Sequence, residues 1–146
     1  MTAEPSIDTP QVHIDIVSDL VCPWCFVGKR HLDAALARFE GSASIRWLPF
    51  FLNPDTPPEG EPYRLFLEKK FGGAAAVETM WARASAAGQR TGIDFAFEKI
   101  ALRANTLAAH RLIYQRQARN QSASALVERI LLPASVPAVS SAAWRC

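Results

Sequence analysis

The sequence predicts an α/β fold: one parallel β-α-β unit followed by a run of helices. Val12, Ile14 and Ile16 alternate with His13 and Asp15, the period of a half-buried strand. From Pro23 to about Phe39, apolar residues return at helical intervals. Ile45 to Leu52 (Ile-Arg-Trp-Leu-Pro-Phe-Phe-Leu) is a second apolar segment. Strand, helix and strand within about forty residues imply parallel strands joined by a right-handed crossover.

Each element has its own reason. Met1 to Pro10 holds Glu4, Asp8 and two prolines and lacks an apolar run, so it reads as a disordered leader and not as a signal peptide. Ser18-Asp19 makes the turn after the first strand, and Leu20-Val21 lead into Cys22-Pro23-Trp24-Cys25. In the helix that follows, Leu32, Leu36 and Phe39 form the buried stripe, with Ala35 beside them, and Gly41 is expected to stop it. Gly28 costs that helix some stability and is expected to permit close packing. His13 reads as a strand residue facing solvent or a neighbouring layer, and His31 as a solvent-facing helix residue. Pro49 cannot donate a ladder hydrogen bond, so it marks an edge or the end of the second strand. Asn53 to Pro62, with four prolines and a glycine, is a loop leaving the sheet.

Helices are expected over Tyr63–Phe71, burying Phe66 and Leu67, and over Ala74–Ala87, with Val77, Met80, Trp81 and Ala84 on one face and Gly88 at the end. Ile93, Phe95 and Phe97 alternate over too short a stretch to be more than extended chain. Asn105 can cap a helix running to about Arg119, and Ser122 to Leu132 reads as another, with Leu126, Val127, Ile130 and Leu131 apolar.

The thiol pair carries the chemistry. Two cysteines separated by two residues in the first turn of a helix can pass between dithiol and disulfide. Cys22 would sit at the helix N-terminus, where unpaired N–H groups and the dipole favour an anion. Pro23 suits the first helical position, where its missing N–H would have no partner. Such surroundings lower a thiol pKa from about 8.5 to roughly 3.5–7.5, and the thiolate is the nucleophile. Cys22 is therefore the expected attacking thiol. Cys25, one turn in, is the expected resolving thiol, more buried and protonated. A zinc site would usually need four ligands, and His13, His31, His110 and Cys146 form neither a second C-x-x-C nor an H-x-x-x-H pair.

The composition narrows the rest. The 146 residues are 49% hydrophobic and 21% charged, which is globular rather than disordered. A net charge of +2 without a dense Lys/Arg run gives no footprint for nucleic acid. No apolar run approaches the ~20 residues that span a bilayer. The expected location is the cytoplasm, where a C-x-x-C is largely reduced at rest.

Three stretches carry a family resemblance: Asp15-Ile16-Val17-Ser18-Asp19 leading into Cys22-Pro23-Trp24-Cys25-Phe26-Val27-Gly28; Phe50-Phe51-Leu52-Asn53-Pro54; and Asn105-Thr106-Leu107-Ala108-Ala109-His110-Arg111-Leu112. In this order, over roughly residues 11–130, the sequence resembles the FrnE-like cytoplasmic branch of the DsbA-like thioredoxin superfamily. The resemblance implies a thioredoxin-like β-α-β half (11–56) with a helical insertion (57–130) and an irregular tail (131–146). It implies thiol–disulfide oxidoreductase or isomerase activity on protein thiols or disulfides or on small thiols, without a cofactor. Trp24, with Pro23, would offer substrate an apolar rim, and Asn105, His110 and Arg111 would match a signature on the inserted helix nearest the thiols. Asn105 as a helix cap and His110 as a packing residue are equally compatible with it. A sister group resembling 2-hydroxychromene-2-carboxylate isomerase typically uses a serine and glutathione, and the intact Cys22/Cys25 pair points away from it.

The resemblance also implies a cis-proline loop facing the thiols, then two antiparallel strands and a last helix. After Arg129 the sequence reads Ile-Leu-Leu-Pro-Ala-Ser-Val-Pro-Ala-Val-Ser-Ser-Ala-Ala-Trp-Arg-Cys, where Val136-Pro137 alone resembles such a loop. The expectation is a C-terminally truncated or frame-shifted member, inactive or only weakly active. Its first strand would keep an unpaired edge, its stability would be low, and Cys146 would be prone to stray disulfides.

Overall fold

The computed structural model describes residues 11–131. The expected leader, the Val136-Pro137 loop and Cys146 lie outside them. Strand β1 (Gln11–Ser18) and strand β2 (Ser42–Pro49) pair in parallel from Gln11↔Ser42 to Ser18↔Pro49, joined by helix α1 (Pro23–Leu36). The alternation of β1 is visible in its burial. Val12, Ile14 and Ile16 are half-covered, whereas Gln11, His13, Asp15 and Val17 are exposed. Across the exposed face, Arg46 clamps Asp15 through two bonds of 2.9 and 2.5 Å, and His13 Nδ1 bonds Ser44 Oγ.

Several boundaries differ from expectation. Helix α1 stops at Leu36, short of Phe39 and well before Gly41. Its last turn tightens into i→i+3 bonds, Arg38 N–H to Ala35 O and Phe39 N–H to Leu36 O, which ends the α-helical ladder. Strand β2 starts three residues earlier than Ile45 because β1 offers partners back to Gln11. It ends at Pro49, so Phe50, Phe51 and Leu52 form a loop beside the sheet. Gly28 is exposed and a methyl group there would meet nothing within 4 Å, so close packing does not explain it.

The helical part follows. Helix α2 (Tyr63–Phe71) ends on Gly72, whose φ of 89° suits a residue without a Cβ. It buries Leu67 but leaves Phe66 half-covered. Helix α3 (Ala74–Gln89) runs through Gly88, where a methyl group would lie 2.7 Å from the Phe95 ring. The alternating Ile93, Phe95 and Phe97 pair with no strand; all three are buried, and Phe97 opens a short 3-10 turn (Phe97–Lys99). Phe95 and Phe97 stack at 4.8 Å, Phe97 and Trp81 at 5.7 Å, and Trp81 and Tyr63 at 6.1 Å. Two short strands that the sequence did not announce, β3 (Glu61–Pro62) and β4 (Leu102–Arg103), pair antiparallel and are fastened by a Glu61–Arg103 ion pair.

Helix α4 (Leu107–Ala118) begins one residue after its cap position, Thr106, and helix α5 (Ser124–Leu131) carries Leu131 into the core. Leu20, Phe26, Val27 and Trp47 belong to the same continuous core as Val77, Trp81, Ile113 and Val127. Lys29, buried on α1, pairs with Asp33 and reaches Glu128 of α5, both at 2.7 Å.

Gln117 of α4 pairs with the outer edge of β2 at Trp47. Trp47 N–H donates to Gln117 Oε1 at 2.7 Å, and Gln117 Nε2 donates to Trp47 O at 3.0 Å. Gln117→Ala leaves both peptide groups without these partners. The expected cost is about 1–3 kcal/mol, read as a lower urea midpoint with an unchanged m-value. An unchanged midpoint would show that the edge is satisfied by water.

Candidate active site

Cys22 stands at the cap position of α1 with extended backbone (φ −93°, ψ 114°), Pro23 is the first helical residue, and no acidic residue lies in the first turn. Cys22 O accepts the first helical bonds, from Cys25 N–H at 3.1 Å and Phe26 N–H at 3.3 Å. Both cysteines are free thiols and half-buried; Cys25 is therefore not enclosed as expected, and electrostatics rather than burial separates the two. The Cys25 thiol donates a hydrogen bond to Cys22 sulfur, which is the main reason the Cys22 thiol is held down at about 6 from an ordinary 9.0. Burial opposes this, the N–H groups of Cys25 and Trp24 reinforce it, and the charge of Asp19 works against it. The same bond to Cys22 keeps the proton on Cys25, whose thiol is pushed well above its ordinary value, with burial and the Cys22 charge adding to the effect.

Asp19 is the residue the sequence reading passed over as a turn former. It is 2% exposed. Its Oδ1 accepts from Leu20 N–H at 2.8 Å, and its Oδ2 accepts from Leu52 N–H at 2.7 Å. His110 Nε2 lies 3.4 Å from Oδ1. Burial pushes this carboxyl up, but His110 beside it, the Leu52 N–H, the Thr106 hydroxyl and the Leu20 N–H together hold it below its ordinary 3.8. The Asp19 carbonyl in turn accepts from Cys22 N–H at 3.4 Å. One carboxylate thus joins the turn before the thiols, the loop after β2 and helix α4. The available signal was an acid between Ser18 and two apolar residues immediately before the thiol motif.

The signature residues divide. His110 is buried at the site, its ring edge-on to Phe51 at 5.0 Å. Asn105 works one step away: Oδ1 accepts from Leu107 N–H at 2.9 Å, and Nδ2 donates to Thr56 O at 2.7 Å, so from the position before the Thr106 cap it satisfies the first N–H of α4 and pins the loop. Arg111 is exposed and borders an open groove of about 460 Å³ lined by Leu20, Trp47, Phe51, Leu107 and His110. Trp24 is 51% exposed beside the thiols. Phe50, Phe51 and Leu52, held against the thiol-bearing turn by Leu52 N–H, also present apolar surface. His31 is exposed on α1. Among the described residues, no three His, Cys, Asp or Glu side chains are grouped as metal ligands, and no helix is long and apolar enough to cross a membrane.

The two thiols give the reduced protein a pH signature. The folded chain releases the Cys22 proton near pH 6 and the unfolded chain near 9. This contribution to stability grows as pH rises from about 6, is complete by about 9, and is lost on acidification. Cys25 has the opposite sign: above pH 9 only the unfolded chain releases its proton, and stability falls. Under reducing conditions the urea midpoint is therefore expected to rise between pH 6 and 9, and Cys22→Ser is expected to flatten the rise. Identical profiles for the two proteins would contradict an acidic Cys22.

Comparison with known proteins agrees with this geometry. Residues 13–131 match the model of the DSBA-like thioredoxin domain. The uncharacterized protein YwbO of Bacillus subtilis is 41% identical over 51 residues, 35% of this chain and 24% of that protein. The crystal structure of the probable DsbA oxidoreductase SCO1869 from Streptomyces coelicolor superposes with a TM-score of 0.75 at 23% identity, covering 88% of this chain and 56% of that one. The chain therefore spans little more than half the length of that structure, and the likeness concerns the fold. With a β-α-β unit carrying its thiols at a helix N-terminus and a family match across nearly all the described residues, the chain belongs to the DsbA-like thioredoxin family.

Proposed function

We propose that the protein is a thiol–disulfide oxidoreductase or isomerase that uses Cys22 and Cys25, within the FrnE-like branch of its family. The observation that carries this is the acidic Cys22 at the head of α1 with the protonated Cys25 in hydrogen-bond contact. In the reductive direction the Cys22 thiolate attacks one sulfur of a substrate disulfide. A mixed disulfide forms and the other substrate sulfur leaves as a thiolate. Cys25 then gives up its proton and attacks Cys22 Sγ, breaking the mixed disulfide. The substrate leaves as a dithiol, and the enzyme holds the Cys22–Cys25 disulfide until a small or protein thiol reduces it. Read backwards, the same steps oxidise a substrate dithiol.

The half-exposed Trp24 and the Phe50–Leu52 loop fit extended polypeptide substrates better than a buried small molecule. Pro23 fixes the chain direction at the first helical position beside Trp24. On this reading residues 11–56 supply the thiols and residues 57–130 supply the helices that hold them. The work is done in the cytoplasm, where thiol pools keep the pair reduced.

Cys22→Ser is expected to reduce insulin-disulfide turnover to background, and Cys25→Ser to accumulate a mixed disulfide visible by mass. Turnover that survives Cys22→Ser would instead favour a glutathione-dependent isomerase. Trp24→Ala is expected to raise the KM for a protein disulfide by roughly tenfold, about 1.4 kcal/mol of lost apolar contact, while sparing a small aromatic disulfide. Equal losses on both substrates would remove Trp24 from the binding surface.

A further inference from the structure

Asp19 and His110 are buried, at 2% and 8% exposure, and neither takes part in the thiol exchange described above. Their places in the fold are what matters. Asp19 lies three residues before Cys22, and its main-chain oxygen is bonded to Cys22 N–H. His110 comes from α4, far along the chain. Its Nε2 is 3.4 Å from the Asp19 carboxylate and makes no hydrogen bond within ordinary length among the described residues. The Asp19 carboxylate is further tied to Leu52 N–H of the loop that forms the apolar rim. The other charged or titratable side chains that line the groove with His110 are Arg46 of β2 and Arg111 and Tyr114 of α4. Arg46 is already engaged by Asp15.

Resting on the oxidoreductase reading, we infer that Asp19 and His110 form a positioning pair for the dithiol: the carboxylate holds the turn that presents Cys22, and the imidazole anchors that carboxylate and takes up its charge. Neither residue touches substrate. A bare carboxylate this close to a forming thiolate opposes its ionisation. An imidazole 3.4 Å from the carboxylate draws its charge away from the sulfur, so the helical part of the chain sets the readiness of Cys22 for attack.

The test is the pH dependence of iodoacetamide alkylation of Cys22 in the reduced full chain, read by fragment mass so that Cys25 and Cys146 are resolved. His110→Leu is expected to move the Cys22 midpoint upward by about half a pH unit, which slows alkylation roughly twofold at pH 6. His110→Gln, which keeps an N–H donor, is expected to return it to the wild-type value. Asp19→Asn is expected to move the midpoint downward. In the Asp19→Asn background, His110→Leu is expected to have no further effect, since the charge it answers is gone. A residue that merely packs would shift the midpoint equally in both backgrounds, and that outcome overturns the pair, as does a midpoint indifferent to His110→Leu. If His110→Leu does not melt cooperatively, Asp19→Asn and His110→Gln decide: an unmoved midpoint in the first, or a shift in the second, overturns it. A wild-type midpoint near 9 would instead defeat the redox reading itself.

Discussion

The structure depends on one buried carboxylate. Asp19 gathers groups from three separated parts of the chain: it accepts from Leu20 N–H next to it and from Leu52 N–H after β2, and His110 of α4 lies 3.4 Å away. An ionised group taken from water is costly unless such donors replace its hydration. Here they do, and the requirement fixes where each donor must lie. The turn before the thiols, the apolar rim and the helical part are thereby held in one arrangement. The arrangement has an electrostatic cost, because a negative charge beside Cys22 works against a thiolate. The hydrogen bond from Cys25 and the N–H groups of the first helical turn outweigh it.

Much of the fold was legible because its determinants are local. The alternation of β1 and the apolar face of α3 each follow from a handful of neighbouring residues, whereas the stripe expected on α1 is only half-covered at Leu32, Leu36 and Phe39 and exposed at Ala35, the helix burying Phe26, Val27 and Lys29 instead. The bounds of α2 were read from sequence residue for residue. What escaped was set by partners distant in sequence. β2 extends back to Ser42 because β1 lies alongside it, and the Ile93–Phe97 alternation signals burial against Gly88 and Trp81 rather than a strand. The β3–β4 bridge is two residues long and leaves no periodic trace.

The site was legible in the same measure. A C-x-x-C at a strand-to-helix junction stands out through spacing alone, and the expected difference in acidity between Cys22 and Cys25 appears as opposite shifts of their thiols. The role of Asp19 is invisible at that level. An aspartate in a turn is ordinarily a turn former, and only the arrival of His110 ninety-odd positions later makes it a structural centre. His110 itself stood out by family resemblance, without any physical reason that the sequence could supply.

The side chain of Gln117 does for β2 what a neighbouring strand's peptide group would do, offering one acceptor and one donor to Trp47. A helix residue posing as a strand in this way occupies the place where a further segment would pair with Trp47, and so disfavours lateral growth of the sheet at that point of its border.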